Sequence, residues 1–196
     1  MNLTHKFTRR ATNEEKLAIA SAGSLSKMIK VIADLSEKKD PNRYKPEDFK
    51  GDAFEWFTEF FFKTYGNDKL FLNVADYQPV KGQEYGVDGL GKYVKDLTKN
   101  VAVQIKYKSN LNATLSSDRD KLSNFGLNSI AKYGVEVDEK YLIVFTSAKG
   151  IARTTLKIFN DKVTCINGEI IKRYIDNNES FWREFQKAAE TVKKVS

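Results

Sequence analysis

Three polar residues with complementary chemistry lie on or near the most regular strand pattern in the sequence. The segment 101–108 alternates strictly, which would place Gln104 and Lys106 on one face of a strand, about 7 Å apart. Upstream, Asp88 lies in the glycine-bounded segment 86–89, and a hairpin would bring it to the same face. Carboxylate and amide oxygens suit Mg²⁺, and a lysine beside a metal-bound water can orient that water for attack on phosphorus. The three residues together predict a metal-assisted hydrolytic centre.

Each of these residues also has an ordinary structural explanation. An aspartate between glycines is usually a turn residue. Gln104 and Lys106 could form a solvated strand face, because the other face is apolar and belongs to the core. The residues alone leave both explanations open.

Composition fits a globular protein with an anionic partner. The chain has 196 residues, of which 41% are hydrophobic and 12% aromatic, more than a disordered chain would carry. It contains 33 basic and 26 acidic residues, a net charge of +7 with an isoelectric point near 9.3. A nucleic acid is therefore a plausible partner, although many basic proteins bind none.

Cysteine and histidine are too scarce for several kinds of site. Cys165 and His5 are single, which excludes an internal disulfide framework and a Cys/His zinc site. A serine or cysteine protease-like mechanism would have to use His5, in a polar N-terminal stretch, and is not expected. Since no apolar run could span a membrane and no signal-peptide pattern is present, we expect a cytoplasmic protein without a membrane partner.

The elements that must position these residues indicate an α/β fold. The pattern predicts a central mixed β-sheet flanked by helices, in a domain spanning 51–196. Residues 1–50 are predicted to form an N-terminal helical extension and a polar linker, with 11 basic and 7 acidic residues. This extension could serve DNA contact or self-association, or it could be a helical hairpin packed on the core. Helices are predicted from Glu14 with Asn13 as cap, and over 25–35, 52–65, 117–134, 151–160, 169–175 and 180–195, the last capped by Asn178. Strands are predicted over 69–78, 101–108, 140–148 and 163–166.

The order and spacing of the polar residues bear a family likeness. The arrangement Gly86-Val87-Asp88-Gly89, a short hairpin and then Val103-Gln104-Ile105-Lys106 resembles the PD-(D/E)XK nuclease superfamily. Glutamine before X-Lys is similar to its Mrr-like restriction endonuclease branch. The resemblance covers roughly 51–180, and departs from the nominal motif in having Val87 in place of proline and Gln104 in place of the second acid.

The resemblance implies a restriction-endonuclease-like core and a defined set of site residues. Asp88, the Gln104 side-chain oxygen and the Ile105 carbonyl would hold Mg²⁺, for which Mn²⁺ can substitute, and Lys106 would position or activate the attacking water. A glutamate of the first core helix commonly points into the site in this family, which assigns Glu55 to catalysis. A capping box formed with Asp52 could instead explain Glu55, while Glu59 is expected on the surface, paired with Lys63.

Other residues near the motif are weaker candidates for contact with phosphate or metal. For each of them a solvated surface position is the simpler explanation. They are Glu84, Lys108, Ser109, Arg119 and Lys121.

The resemblance predicts a metal-dependent endonuclease that hydrolyses DNA phosphodiester bonds, as part of a restriction, phage or mobile-element system. The alternative is a weakly active or inactive nuclease-fold module for DNA binding or assembly. RNA or branched DNA are alternative substrates. A homodimer, and a helicase domain or subunit, are further partners that the resemblance allows.

Overall fold

A mixed five-stranded sheet forms the centre of the molecule, in a computed structural model that describes residues 1–68, 72–81, 86–118 and 120–190. Its strand order is β1-β2-β3-β5-β7, antiparallel from β1 to β3 and parallel from β3 to β7. Two short strands, β4 and β6, pair separately in parallel. The strands are β1 (Val74–Pro79), β2 (Gly89–Tyr93), β3 (Asp96–Lys106), β4 (Thr114–Leu115), β5 (Leu142–Thr146), β6 (Gly150–Ile151) and β7 (Thr164–Ile166).

Helices cover both faces of this sheet, which confirms the predicted α/β class with a mixed sheet. Three of them precede the long central helix, and the rest follow the antiparallel strands. The described helices are α1 (Phe7–Arg10), α2 (Asn13–Ala20), α3 (Leu25–Glu37), α4 (Pro46–Tyr65), α5 (Phe125–Tyr133), α6 (Arg153–Ile158), α7 (Gly168–Ile175) and α8 (Glu179–Glu190). Among the residues described, none of these helices combines the length and apolarity needed to cross a membrane.

The sheet separates two hydrophobic cores. The larger core lies on the α4 side, where the phenylalanines of α4 pack on Val103, Ile105 and Phe145. The smaller core lies on the α5 side and includes Ala102 and Val144. Successive residues of β3 therefore alternate between two buried environments, since strand side chains alternate in direction.

The N-terminal residues belong to the larger core. Phe7, Ile29 and Ile32 are buried there, and Phe7 packs against Trp56 of α4 with ring centroids 5.4 Å apart. The boundary predicted at residue 50 lies inside α4. Of the two interpretations left open for 1–50, packing on the core is the one that the structure shows.

Two helix starts differ from prediction. α4 begins at Pro46, a residue suited to a first helical turn, so Asp52 is an interior residue and forms no capping box with Glu55. The predicted helix 117–134 begins only at Phe125, because residues 117–118 and 120–124 form turns. Ile130 of this helix is 40% exposed.

Smaller differences from prediction concern a helix-capping residue and the ends of some elements. Thr12, rather than Asn13, caps α2 through a capping box with Glu15. β3 begins at Asp96, before the predicted strand start at residue 101. Of the predicted features, Glu84, Arg119 and the end of the last helix beyond Glu190 lie outside the described residues.

Candidate functional site

Asp88 lies where strands β2 and β3 part. Its backbone N–H donates to the Val103 carbonyl at 2.9 Å, in register with the hairpin. The next hydrogen bond along the hairpin involves the side chain of Asp88 instead of its backbone. In it, the Ile105 N–H donates to Asp88 Oδ2 at 2.6 Å. The carboxylate thus replaces a strand carbonyl as the acceptor, and it is 9% exposed. Asp88 is fixed against β3 at the predicted position.

The glycines on either side of Asp88 serve different purposes. Gly86 has a φ of +83°, which favours glycine. Gly89 lies in close contact with Tyr77, because a Cβ at residue 89 would lie 2.2 Å from the Tyr77 hydroxyl and 2.3 Å from its ring. The turn interpretation of the tetrapeptide therefore applies to Gly86, while Gly89 makes room for an aromatic ring of β1.

The Ile105 carbonyl is directed to the same side of β3 as its amide. A strand residue that donates to one neighbour also turns its C=O toward that neighbour. Since the Ile105 amide faces Asp88, its carbonyl oxygen faces the gap between β2 and β3. The structure thereby brings together two of the three predicted metal ligands, Asp88 and Ile105.

Gln104 is fully buried, with 0% exposure, which contradicts a solvated strand face. It points to the α5 side of the sheet, where its Nε2 lies 3.4 Å from the Cβ position of Gly86. Within the described part of the chain, neither its Oε1 nor its Nε2 has a hydrogen-bond partner. A buried amide left in this state costs about 1–3 kcal/mol, so the group needs an explanation beyond folding.

Lys106 ends β3 on the same face as Gln104 and is half-buried. Its carbonyl accepts from the Thr146 hydroxyl at 2.7 Å, and its ammonium has no ion-pair partner among the residues described. Lys108 differs, because its ammonium pairs with the buried Asp120. Asp120 also accepts from the Ser116 amide at 2.6 Å.

Glu55 contacts His5, a residue to which no function was assigned. His5 Nε2 lies 2.9 Å from Glu55 Oε2, and the Phe7 N–H donates to His5 Nδ1 at 3.2 Å. Because Nδ1 accepts, the neutral ring carries its proton on Nε2 and donates it to Glu55. His5 therefore orients the carboxylate that was predicted to belong to the site.

Glu59 is fully buried, and its predicted surface position is wrong. Its carboxylate accepts from the Thr4 and His5 amides at 2.8–3.0 Å and from the Thr4 hydroxyl at 2.9 Å. The predicted pair with Lys63 is confirmed at 2.6 Å. Glu59 therefore anchors the N-terminal segment. Its two carboxylate oxygens are already occupied by these hydrogen bonds and the ion pair, so they are not free to bind a metal ion.

Tyr77 is buried close to the candidate acids and was not predicted to matter. Burial raises the pKa of its hydroxyl well above the usual range. Negative charge adds to the effect on this pKa, from Glu55 first and then from Asp88 and Glu59. Glu55, Asp88 and Glu59 thus all lie close enough to this buried phenol for their negative charges to raise its pKa.

One further group of potential ligands lies beside Glu55. Ligand atoms of His5, Asp52 and Glu55 lie within 4.8 Å of one another. Asp52, however, accepts from the Tyr44 hydroxyl at 2.6 Å and pairs with Lys6 at 3.0 Å and Arg10 at 3.2 Å. Two cations already offset its charge, so this group better suits orientation of Glu55 than binding of a cation.

Comparison with known proteins assigns no family to the chain. No protein-family model matches it, and no curated protein matches it. The likeness to the nuclease superfamily therefore stays a prediction, based on the motif residues and their spacing.

Proposed function

We propose that this protein is a Mg²⁺-dependent endonuclease that hydrolyses DNA phosphodiester bonds, with Mn²⁺ able to replace Mg²⁺. The observation that carries the proposal is the bond from the Ile105 amide to the Asp88 carboxylate, made where β2 and β3 part. This bond joins Asp88 to the part of β3 that contains Gln104 and Ile105. The hairpin there carries the Asp88 carboxylate, the Ile105 backbone carbonyl and the side-chain amide of Gln104. The net charge of +7 suits a polyanionic substrate.

The donor set fits a hard divalent cation. Asp88, the Ile105 carbonyl and Gln104 Oε1 offer oxygens only, as Mg²⁺ prefers. The amide oxygen of Gln104 is buried and lacks a partner among the residues described, as expected for an atom reserved for a ligand. When bound there, Mg²⁺ would neutralise phosphate charge and lower the pKa of a bound water.

The remaining groups would act on the water and the substrate. The Lys106 ammonium, which pairs with no carboxylate in the described residues, would orient the attacking water and stabilise charge on the phosphate. Glu55, oriented by the Nε2 proton of His5, would hold a second water on the α4 side. His5 is a positioning residue in this scheme, since it acts through Glu55.

Plasmid nicking in Mg²⁺ or Mn²⁺ tests the proposal. We expect Asp88→Ala and Lys106→Ala each to lower the cleavage rate at least about 100-fold, the scale of losing one group that stabilises transition-state charge. Asp34→Ala and Lys157→Ala remove the same charges from exposed helix positions and should cleave like the wild type. If both site variants also cleave like the wild type, the active-site assignment is wrong.

A second candidate function is DNA binding without catalysis. It is favoured by Gln104, because a neutral ligand holds a metal ion more weakly than a carboxylate does. Calorimetric titration with Mn²⁺ distinguishes a metal-dependent endonuclease from a DNA-binding module without catalysis. No ion binding at millimolar concentration, together with salt-sensitive DNA binding, would favour the binding module.

A further inference from the structure

A cleft of about 320 Å³ opens between the N-terminal segment and the end of β1. One wall is lined by Thr4, His5, Lys6 and Arg9, and the other by residues 79–81. Apart from His5, the described residues that line it include none of those proposed to act in catalysis.

Both walls of the cleft are hydrogen-bonded to residues of the candidate site. On one side, His5 donates to Glu55 at 2.9 Å. On the other, the Val80 N–H donates to the carbonyl of Asp88 at 2.9 Å. The walls of the cleft therefore adjoin the two residues, Glu55 and Asp88, that carry the candidate acids.

The charge lining the cleft is positive. Lys6, Arg9 and Lys81 contribute side chains to it, and no carboxylate is among the described residues that line it. Lys6 shares its charge with Asp52. Arg9 and Lys81 are exposed and make no ion pair with the described part of the chain.

These cations are held on a rigid frame. The backbone amides of Thr4 and His5 are bound by the buried Glu59, and Phe7 is fully buried against Phe49 and Trp56. These contacts fix the backbone of the segment that carries Lys6 and Arg9. A preorganised site loses less entropy on binding a ligand than flexible side chains would.

We propose that this cleft binds the phosphodiester backbone of a nucleic-acid strand next to the bond that is hydrolysed, with Arg9 and Lys81 as its principal contacts. The inference deepens the proposed endonuclease function and rests on it. It assigns residues 4–9 to the substrate-binding surface and makes them part of the functional site.

Fluorescence anisotropy with a labelled 20-base-pair DNA duplex, in Ca²⁺ or EDTA to prevent cleavage, tests this binding. We expect the double variant Arg9→Gln/Lys81→Gln to bind roughly tenfold or more weakly at 0.1 M salt. The slope of log affinity against log salt should fall by about 0.9 for each phosphate that the variant no longer neutralises. Both residues are exposed, so thermal unfolding should show unchanged stability.

The matched control is Arg153→Gln/Lys157→Gln, which removes the same two charge types from exposed positions of α6, beside the smaller core. It should bind like the wild type. Equally weakened binding in both double variants, unchanged binding in the first, or no salt-sensitive binding by the wild type would each overturn the inference. If the first variant alone binds weakly and the wild type fails to nick plasmid, the cleft stands and the endonuclease proposal fails. An equivalent RNA duplex distinguishes the two polynucleotides.

Discussion

The side-chain amide of Gln104 is buried in the interior of the protein and has no hydrogen-bond partner among the residues described. The neighbouring Ile105 is, by contrast, bonded to Asp88. A fold selected for stability alone would fill the position of Gln104 with an apolar side chain, like Ala102 and Val144 beside it. The proposed function accounts for the amide as a group kept for a ligand at some cost in stability.

Replacing this amide should separate stability from function. We expect Gln104→Leu to leave the free energy of unfolding unchanged, or to raise it by up to about 2 kcal/mol, because a buried unpaired amide is removed. Plasmid cleavage and Mn²⁺ binding should be abolished. Urea unfolding, nicking assays and calorimetry measure the three quantities.

Gln78→Leu on β1 is the matched control, since Gln78 is exposed and the same atoms change. It should affect none of the three quantities. A Gln104→Leu protein that is less stable and still cleaves would show that the amide has a structural role.

At the scale of elements, the position of Asp88 depends on how β1 and β2 pack. Tyr77 of β1 stacks on Phe62 of α4 with ring centroids 5.0 Å apart, and its ring lies directly against Gly89. Strand β2 can carry Asp88 past this ring only because residue 89 has no side chain.

Gly89→Ala should therefore destabilise the hairpin. The added Cβ meets a buried ring that has no space to move, so we expect the free energy of unfolding to fall by roughly 2 kcal/mol, typical of overpacking. Gly51→Ala provides the contrast, because a Cβ at Gly51 in helix α4 has nothing within 4 Å. That change should stabilise the protein by about 0.5–1 kcal/mol. Urea unfolding of the two variants checks both signs.

The docking of the N-terminal segment on α4 is the second arrangement of elements that matters. Glu59→Ala would remove the acceptor for the Thr4 and His5 amides and leave Lys63 without its partner. We expect the free energy of unfolding to fall by about 3–5 kcal/mol, as for breaking a buried ion pair. Hydrogen exchange should show rapid exchange of the Thr4 and His5 amides.

Glu47→Ala, at the exposed start of α4, removes a surface ion pair with Lys50 and is the control. It should leave both amides protected. If Glu59→Ala leaves them protected as well, the segment is held by its apolar side chains alone.

Elements with a strong local pattern could be predicted from the sequence. Strand β5 is a continuous apolar run, and α8 follows Asn178, whose side chain accepts from the Phe181 amide at 3.1 Å. The start of α5 could not be predicted, because Ser116 and Ser117 are suitable helix caps, and yet residues 117–118 and 120–124 form turns in which Asp120 binds Ser116 and Lys108. Those bonds depend on tertiary structure.

The candidate site was predictable only in part, for the same reason. Local alternation and glycine spacing indicated Asp88, Gln104 and Lys106. His5 and Tyr77 had no local signal, since His5 meets Glu55 across 50 residues and Tyr77 approaches Asp88 through the packing of two strands. The burial of Gln104 could not be predicted because it depends on α5 covering the second face of β3.

At the scale of the whole molecule, the buried phenol of Tyr77 links stability to alkaline pH. An unfolded chain releases this proton near pH 10, whereas in the folded protein burial raises the pKa well above that value. The stabilising contribution is therefore complete below about pH 10 and is lost as the pH rises toward the folded pKa.

We expect the free energy of unfolding to fall above pH 10, and to fall less steeply in Tyr77→Phe. The difference in slope should approach about 1.4 kcal/mol per pH unit, the value for one proton. Urea unfolding between pH 9 and 11 measures it. Tyr133→Phe, at a half-buried position, should keep the wild-type slope; identical slopes for wild type and Tyr77→Phe would refute the linkage.

The bonds between the first residues and Glu59 also constrain how the chain can fold as it is synthesised. Thr4 is synthesised 55 residues before Glu59, whose carboxylate accepts from the Thr4 amide. His5 precedes its partner Glu55 by 50 residues. Contacts of such sequence separation form late, after the intervening chain has closed a large loop. The positively charged start of the chain thus stays undocked until α4 is complete, and the proposed substrate-binding surface is assembled only after the central helix exists.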